Sequence, residues 1–120
     1  MLQRLRTLMG AAPDPVPALA AARAAALQAA FGEPERIDRD SDRRHRVDVH
    51  VYARNFVEAC VDGDDEGYVL VTSGMSDRLM PMPDGYDGDE SAARELFWYV
   101  RAPHPAFIEP LRWLAKLPFA

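Results

Sequence analysis

Between Arg46 and Tyr52 the chain alternates residue by residue: Val47, Val49 and Val51 fall on one side, Asp48, His50 and Tyr52 on the other. A period of two is the pleat of a β-strand, and no helix gathers those valines on one face. The segment therefore reads as a half-buried strand with a solvated polar face. Residues 56–61 continue or restart it, and Asp62-Gly63-Asp64-Asp65-Glu66-Gly67 reads as a polar hairpin loop. The chain returns through Tyr68–Thr72 (YVLVT), which is more apolar and so more central, and Ser73-Gly74 ends that strand. Pro81, Pro83, Gly85 and Gly88 among several acids make 81–91 a loop. Arg94–Val100 (RELFWYV) is a third strand, apolar on both faces beyond Glu95.

On either side of this block the period lengthens. Asp14 serves as an N-cap with Pro15 at the first helical position, where a missing N–H is harmless. An Ala-rich run follows, with Leu19, Ala22, Ala26, Leu27, Ala30 and Phe31 on one face, and Gly32 and Pro34 stop it. Leu2, Leu5 and Met9 mark a short preceding turn in a frayed stretch, residues 1–12. After Pro103 and Pro105 an amphipathic helix starts near Ala106, with Phe107, Leu111, Leu114 and Leu117 along one face. Strands grouped between helices predict one α+β domain over residues 1–120. Its parts are an N-terminal Ala-rich helix, an antiparallel or mixed sheet of about three to four strands, and a C-terminal amphipathic helix.

A chain of 120 residues, 48% hydrophobic and 28% charged, can bury one modest core. Its net charge of -5 disfavours nucleic-acid phosphates and suits a basic partner protein. Cys60 is the only cysteine, which excludes an internal disulfide and a C-x-x-C site. The apolar run Leu8–Ala12 is shorter than a signal-peptide core, and nothing approaches the ~20 apolar residues of a membrane span. The expected location is the cytoplasm.

Several constellations invite a chemical reading. Ser73, Ser76, Asp77, His45, His50 and His104 are the parts of a hydrolase, but Thr72-Ser73-Gly74-Met75-Ser76 lacks the G-x-S-x-G elbow. Asp48 and His50 share a strand face with no third metal ligand specified. Asp62, Asp64 and Glu66 imitate half a calcium loop, yet Ser73 stands where the bidentate Glu belongs. Asp84, Asp87, Asp89 and Glu90 read as an acidic surface loop. No metal, no cofactor and no catalytic residue is expected. Cys60 reads as a small buried hydrophobe, and Trp98, Tyr99 and Trp113 as core or interface aromatics.

The most distinctive segment is Leu70-Val71-Thr72-Ser73-Gly74-Met75-Ser76-Asp77-Arg78-Leu79-Met80, followed by Pro81. It resembles the signature of suppressor-of-fused domains, a strand ending in T-S-G-M-S-D with Met and Pro soon after. Val47–Tyr52 resembles that family's upstream strand, Arg94–Val100 its downstream strand, and Pro110–Pro118 the helix that follows. The four matches occur in order over roughly residues 45–118. Two features depart from the family. A longer acidic connection runs from Ala53 to Gly67, and family domains continue with further strands where this chain ends at Ala120.

The resemblance implies a mixed α/β protein-binding module that is not an enzyme. Bacterial relatives resemble immunity proteins that neutralise polymorphic toxins by direct binding. It also implies an uncovered sheet edge and, through it, self-association. The candidate partner-binding residues are Met75, Ser76, Asp77 and Met80 in the signature turn, with Asp48, His50 and Tyr52 on the upstream strand. The competing reading of the turn is structural: Gly74 shapes it, Asp77 caps amides, and Met80 packs inward. The acidic stretches 62–66 and 84–90 are candidates for steering a basic toxin. The alternatives are a regulatory peptide-binding module that adds a strand from its target, and a small hydrolase using Ser73 or Ser76 with His50.

Overall fold

The computed structural model describes residues 14–55, 66–85 and 92–119. Helix α1 (Pro17–Phe31) is followed by strands β1 (Arg36–Asp38), β2 (Asp48–Asn55), β3 (Glu66–Ser73) and β4 (Phe97–Val100), then helix α2 (Pro105–Lys116). The strands form one antiparallel sheet in the order β1-β2-β3-β4. Short 3-10 turns at Met75–Asp77 and Leu117–Phe119 end β3 and α2. The fold is α+β with a helix on each side of the sheet, and the short strand β1 makes it four-stranded. The expected continuation of the first strand over 56–61, most of the hairpin loop, Cys60 and the acids at 87–90 lie outside the described residues.

The valine alternation builds the main core. Val49 and Val51 of β2 meet Leu70 of β3, Val100 of β4, and Ile108 and Leu111 of α2. Val47 joins Met75, Ala115 and Phe119 at the sheet's end. The opposite face differs from the sequence expectation. Asp48 and Tyr52 are buried and His50 is half-buried, because β2 is an inner strand and α1 lies over that face. Tyr52 packs with Val69 and Val71 beneath Leu27 and Phe31.

Both helices depart from their predicted details. The N-cap of α1 is Val16, not Asp14, and Pro17 takes the place expected of Pro15. A residue before proline is pushed out of the α region. Val16 is accordingly extended, at φ -110° and ψ 112°, and its N–H donates to the Asp77 carbonyl at 2.6 Å. The inward stripe of α1 runs through Leu19, Arg23, Leu27 and Phe31 rather than Ala22, Ala26 and Ala30, and none of its residues is fully buried. In α2 the buried face is Ile108, Leu111, Arg112 and Ala115. Leu114 is exposed, and Leu117, also exposed, lies beyond the helix in the 3-10 turn.

Arg112 explains that rotation. Its Nε donates to the Val47 carbonyl at 2.8 Å, Nη2 to the Asp38 carbonyl at 2.8 Å and to Asp38 Oδ1 at 2.6 Å, and Nη1 pairs with Glu109. A buried guanidinium survives only where its donors are satisfied. These bonds turn the Arg112 side of α2 toward β1. The other flank, carrying Phe107, meets Trp98 of β4 at a ring separation of 5.1 Å.

Strand β4 is shorter than expected and sits at the sheet's edge. Phe97 is 60% exposed and Trp98 41%, while Trp113 on the outer side of α2 is 62% exposed. Among the described residues, no helix is long and apolar enough to cross a membrane.

Candidate functional site

The three strand residues chosen from sequence come together. Asp48, His50 and Tyr52 project from β2 into an open cavity of about 320 Å³ between the sheet and α1, where Arg23, Gln28, Glu33 and Ser73 complete the polar wall. Period-two spacing places the first three on one face, and the register sets Ser73 of β3 opposite Asp48. Helix α1 closes the other side because Phe31 stacks on Tyr52 at 4.9 Å and Arg23 pairs with Asp77.

Inside the cavity His50, Tyr52 and Asp48 have defined partners, whereas the buried Arg23 Nε has none among the described residues. His50 Nδ1 and the Tyr52 hydroxyl lie 3.1 Å apart. Burial pushes the His50 imidazole below its ordinary value, with Arg23 and Arg39 reinforcing the effect and Asp48 opposing it. The ring is therefore neutral near pH 7. Burial also raises the Tyr52 hydroxyl, with Glu33 adding to it. Asp48 Oδ1 accepts from the Asp40 amide at 2.8 Å and from Arg46 Nε at 3.1 Å, and Oδ2 lies 3.7 Å from Arg39. Its carboxylate is bound into the β1–β2 connection, and among the described residues it forms no hydrogen bond to His50.

The signature turn does different work. The Glu95 carboxylate accepts the Thr72 hydroxyl at 2.8 Å and the amides of Gly74, Met75 and Ser76 at 3.2, 3.1 and 2.8 Å, together with the Ser76 hydroxyl. Successive amides converging on one anion form a nest, here filled by the protein's own glutamate. Thr72 Oγ1 in turn accepts the Leu96 amide at 2.8 Å, which fixes the approach to β4. Gly74 adopts φ 136°, and a Cβ there would lie 2.3 Å from the Arg46 carbonyl oxygen.

Of the four candidate contacts in this turn, Met75 is buried against Val47, Ala115 and Phe119, and Met80 is half-buried on the same cluster. Asp77 is half-buried and bound to Arg23, and Ser76 is bound to Glu95. The turn thus lies apart from the cavity wall formed by β2, joined to it through the Arg23–Asp77 pair. Sequence reasoning missed Arg23 and Glu95. Arg23 stood in an alanine run whose apolar spacing drew attention elsewhere. The donors of the nest were legible in Thr-Ser-Gly-Met-Ser, but the anion filling it is about twenty residues away in sequence.

Neither serine is linked to His50 by a hydrogen bond among the described residues, since Ser76 donates to Glu95 and His50 faces Tyr52. Among those residues, no group of three or more His, Cys, Asp or Glu side chains is placed to hold a metal ion. No protein-family model, curated protein or solved structure matches the chain.

Proposed function

We propose that this chain is a non-enzymatic, cytoplasmic protein-binding module of the suppressor-of-fused kind, acting as an immunity-type protein that neutralises a cognate toxin by direct contact. The observation that carries the reading is the convergence of Asp48, His50 and Tyr52 on one open cavity beside α1. A neutral imidazole, a buried tyrosine, an arginine and two carboxylates, Asp48 and Glu33, beside apolar Leu27 and Ile37 are groups that anchor a partner side chain. Ser76, Asp77 and His50 are each engaged by another side chain of the fold, which supports binding over hydrolysis.

The test is retention of a partner by tagged chain in its native cells, compared with a His50→Glu variant shown to be folded. The expected result is one protein held in stoichiometric amount by the wild type and lost by the variant. Expression of that protein should arrest cells only when the chain is absent. Equal retention by both proteins would remove the cavity from the proposal, and a hydrolytic activity abolished by Ser76→Ala in a folded protein would overturn the class.

A second reading has its own observation. Strand β4 pairs with β3 alone among the described residues and exposes Phe97 and Trp98. Edge strands without charge or proline invite another strand, so β4 favours a peptide module that extends its sheet, or self-association along the same edge. Trp98→Lys should abolish either contact while leaving the cavity intact.

A further inference from the structure

The connection from β1 to β2, residues 39–47, carries four arginines and two aspartates. The structure sorts them by direction. Asp40 is turned inward, accepting the amides of Val47 and Asp42 at 3.0 Å each and Lys116 Nζ at 2.6 Å. Asp42 accepts the amides of Arg44 and His45 at 2.9 and 3.4 Å, and Lys116 at 3.3 Å. Both carboxylates are consumed in holding the loop's own backbone.

Other cations pin the loop from behind. Arg78 Nη2 donates to the Arg44 carbonyl at 2.8 Å, Arg112 Nε holds the Val47 carbonyl, and the His45 ring meets Phe119 edge-on at 5.0 Å. The loop is therefore pre-organised, and a ligand need not order it on binding. Arg39, Arg43, Arg44 and Arg46 are all exposed. Arg39 and Arg46 reach back to Asp48, which lines the cavity, so the loop adjoins it. The side chains of Arg43 and Arg44 form no ion pair among the described residues.

We propose that this arginine loop docks an acidic segment of the protein partner as that partner enters the cavity beside α1. The inference rests on the protein-binding reading and adds the chemistry of the partner. It differs from the sequence expectation that acidic stretches steer a basic toxin. Carboxylates match the planar, bidentate donors of arginine. A short acidic segment feels mainly charges within a Debye length of about 8 Å, and in residues 39–47 four exposed arginines outnumber two aspartates that are already bound to Lys116 and the loop's amides. A long nucleic-acid polyanion would extend past the loop over a chain whose net charge is -5. The exposed aromatics of β4, on which bases could stack, lie at the opposite edge of the sheet from β1.

The test uses the whole chain with a short poly-glutamate peptide, a poly-serine control and a single-stranded oligonucleotide of equal length. Binding is followed by amide chemical shifts at about 50 mM and about 150 mM salt. The expected result is that poly-glutamate shifts the amides of residues 39–47 and poly-serine does not. A folded Arg43→Glu/Arg44→Glu variant should lose at least about tenfold in affinity, roughly the effect of one good charge contact per arginine. No shift in the loop, undiminished binding by the variant, or tighter binding of the oligonucleotide would overturn the proposal.

Retention of the cellular partner separates this failure from failure of the broader reading. A partner held equally by wild type and the double variant overturns the arginine-loop inference alone. Nothing retained by either overturns the protein-binding reading and this inference with it.

Discussion

Glu95 and Ser76 are joined twice: the Ser76 amide donates to Glu95 Oε2 at 2.8 Å, and the Ser76 hydroxyl donates to the same oxygen. One carboxylate thereby satisfies a turn that would otherwise leave three consecutive amides without an acceptor. Glu95→Ala should destabilise the protein by about 3 kcal/mol, since hydrogen bonds to a charged acceptor contribute about 1.5–3 kcal/mol and orphaned donors add a desolvation cost. Glu95→Gln keeps the shape, loses the charge and should cost about half as much. Urea denaturation measures both. A loss below about 1 kcal/mol for the alanine variant would show that water replaces the carboxylate without penalty.

Two glycines with positive φ provide an internal control. At Gly32, φ is 71° and an added Cβ meets nothing within 4 Å, whereas at Gly74 it would strike the Arg46 carbonyl. Gly32→Ala should cost about 1 kcal/mol from backbone strain alone, and Gly74→Ala about 3 kcal/mol or more. The reverse ranking in thermal or chemical unfolding would contradict the close approach of the turn to the residues preceding β2.

The rotation of α2 about its axis is testable by a matched pair of leucines. Leu111 is buried in the main core and Leu114 is exposed. Leu111→Ala should cost about 3 kcal/mol, within the range for a large-to-small change in a core, and Leu114→Ala less than about 1 kcal/mol. Equal losses would mean that the helix presents the face read from Phe107, Leu111, Leu114 and Leu117 instead.

Acid stability should fall in two stages. Burial holds both His45 and His50 below the ordinary imidazole value of 6.5, with Arg78 and Lys116 adding to the effect at His45. The folded protein then binds fewer protons than the unfolded chain once pH drops toward 6.5. The stability these groups confer is complete above that value and is lost as pH falls through it toward the folded values. Asp40 and Asp42 lie below their ordinary value of 3.8. At Asp40 burial works against this shift but is outweighed by the bonds from Lys116, Val47 and Asp42, and at Asp42 the Arg44 and His45 amides dominate. Their contribution persists down to about pH 4 and is lost below it. Denaturation midpoints should be level above about pH 7, decline from about pH 6.5, and decline again below about pH 4. A His45→Gln/His50→Gln double variant should lose the first decline and keep the second. A first decline that persists in the double variant would assign it to other groups.

The residues that carry period-two and turn information were legible from the start. Val47, Val49 and Val51 announced β2, Tyr68–Thr72 announced β3 as an inner strand, and Pro105 stands at the head of α2. Even the corrected start of α1 has a trace in the chain, because Val16 precedes Pro17 and is pushed toward the extended region. The separation of roles within the candidate site was not legible. Asp48, His50 and Tyr52 could be grouped on one strand face, but whether water or α1 lay over it depended on a helix with little amphipathic character. The partners of the signature turn, Glu95 and Arg23, lie 19 and 54 residues from the groups they bind.

The sequence by itself determined the α+β class, the antiparallel pairing of its central strands and the spacing that aligns three polar side chains. Backbone periodicity and turn chemistry act over a few residues, so their traces remain in a few residues. Only the tertiary structure decided that the polar face is roofed, that the signature turn encloses Glu95, and that Asp40 turns inward while the four arginines of residues 39–47 are exposed. Each of these depends on a donor finding an acceptor across the fold. A linear pattern records that each group needs a partner, but which partner it finds is set by packing.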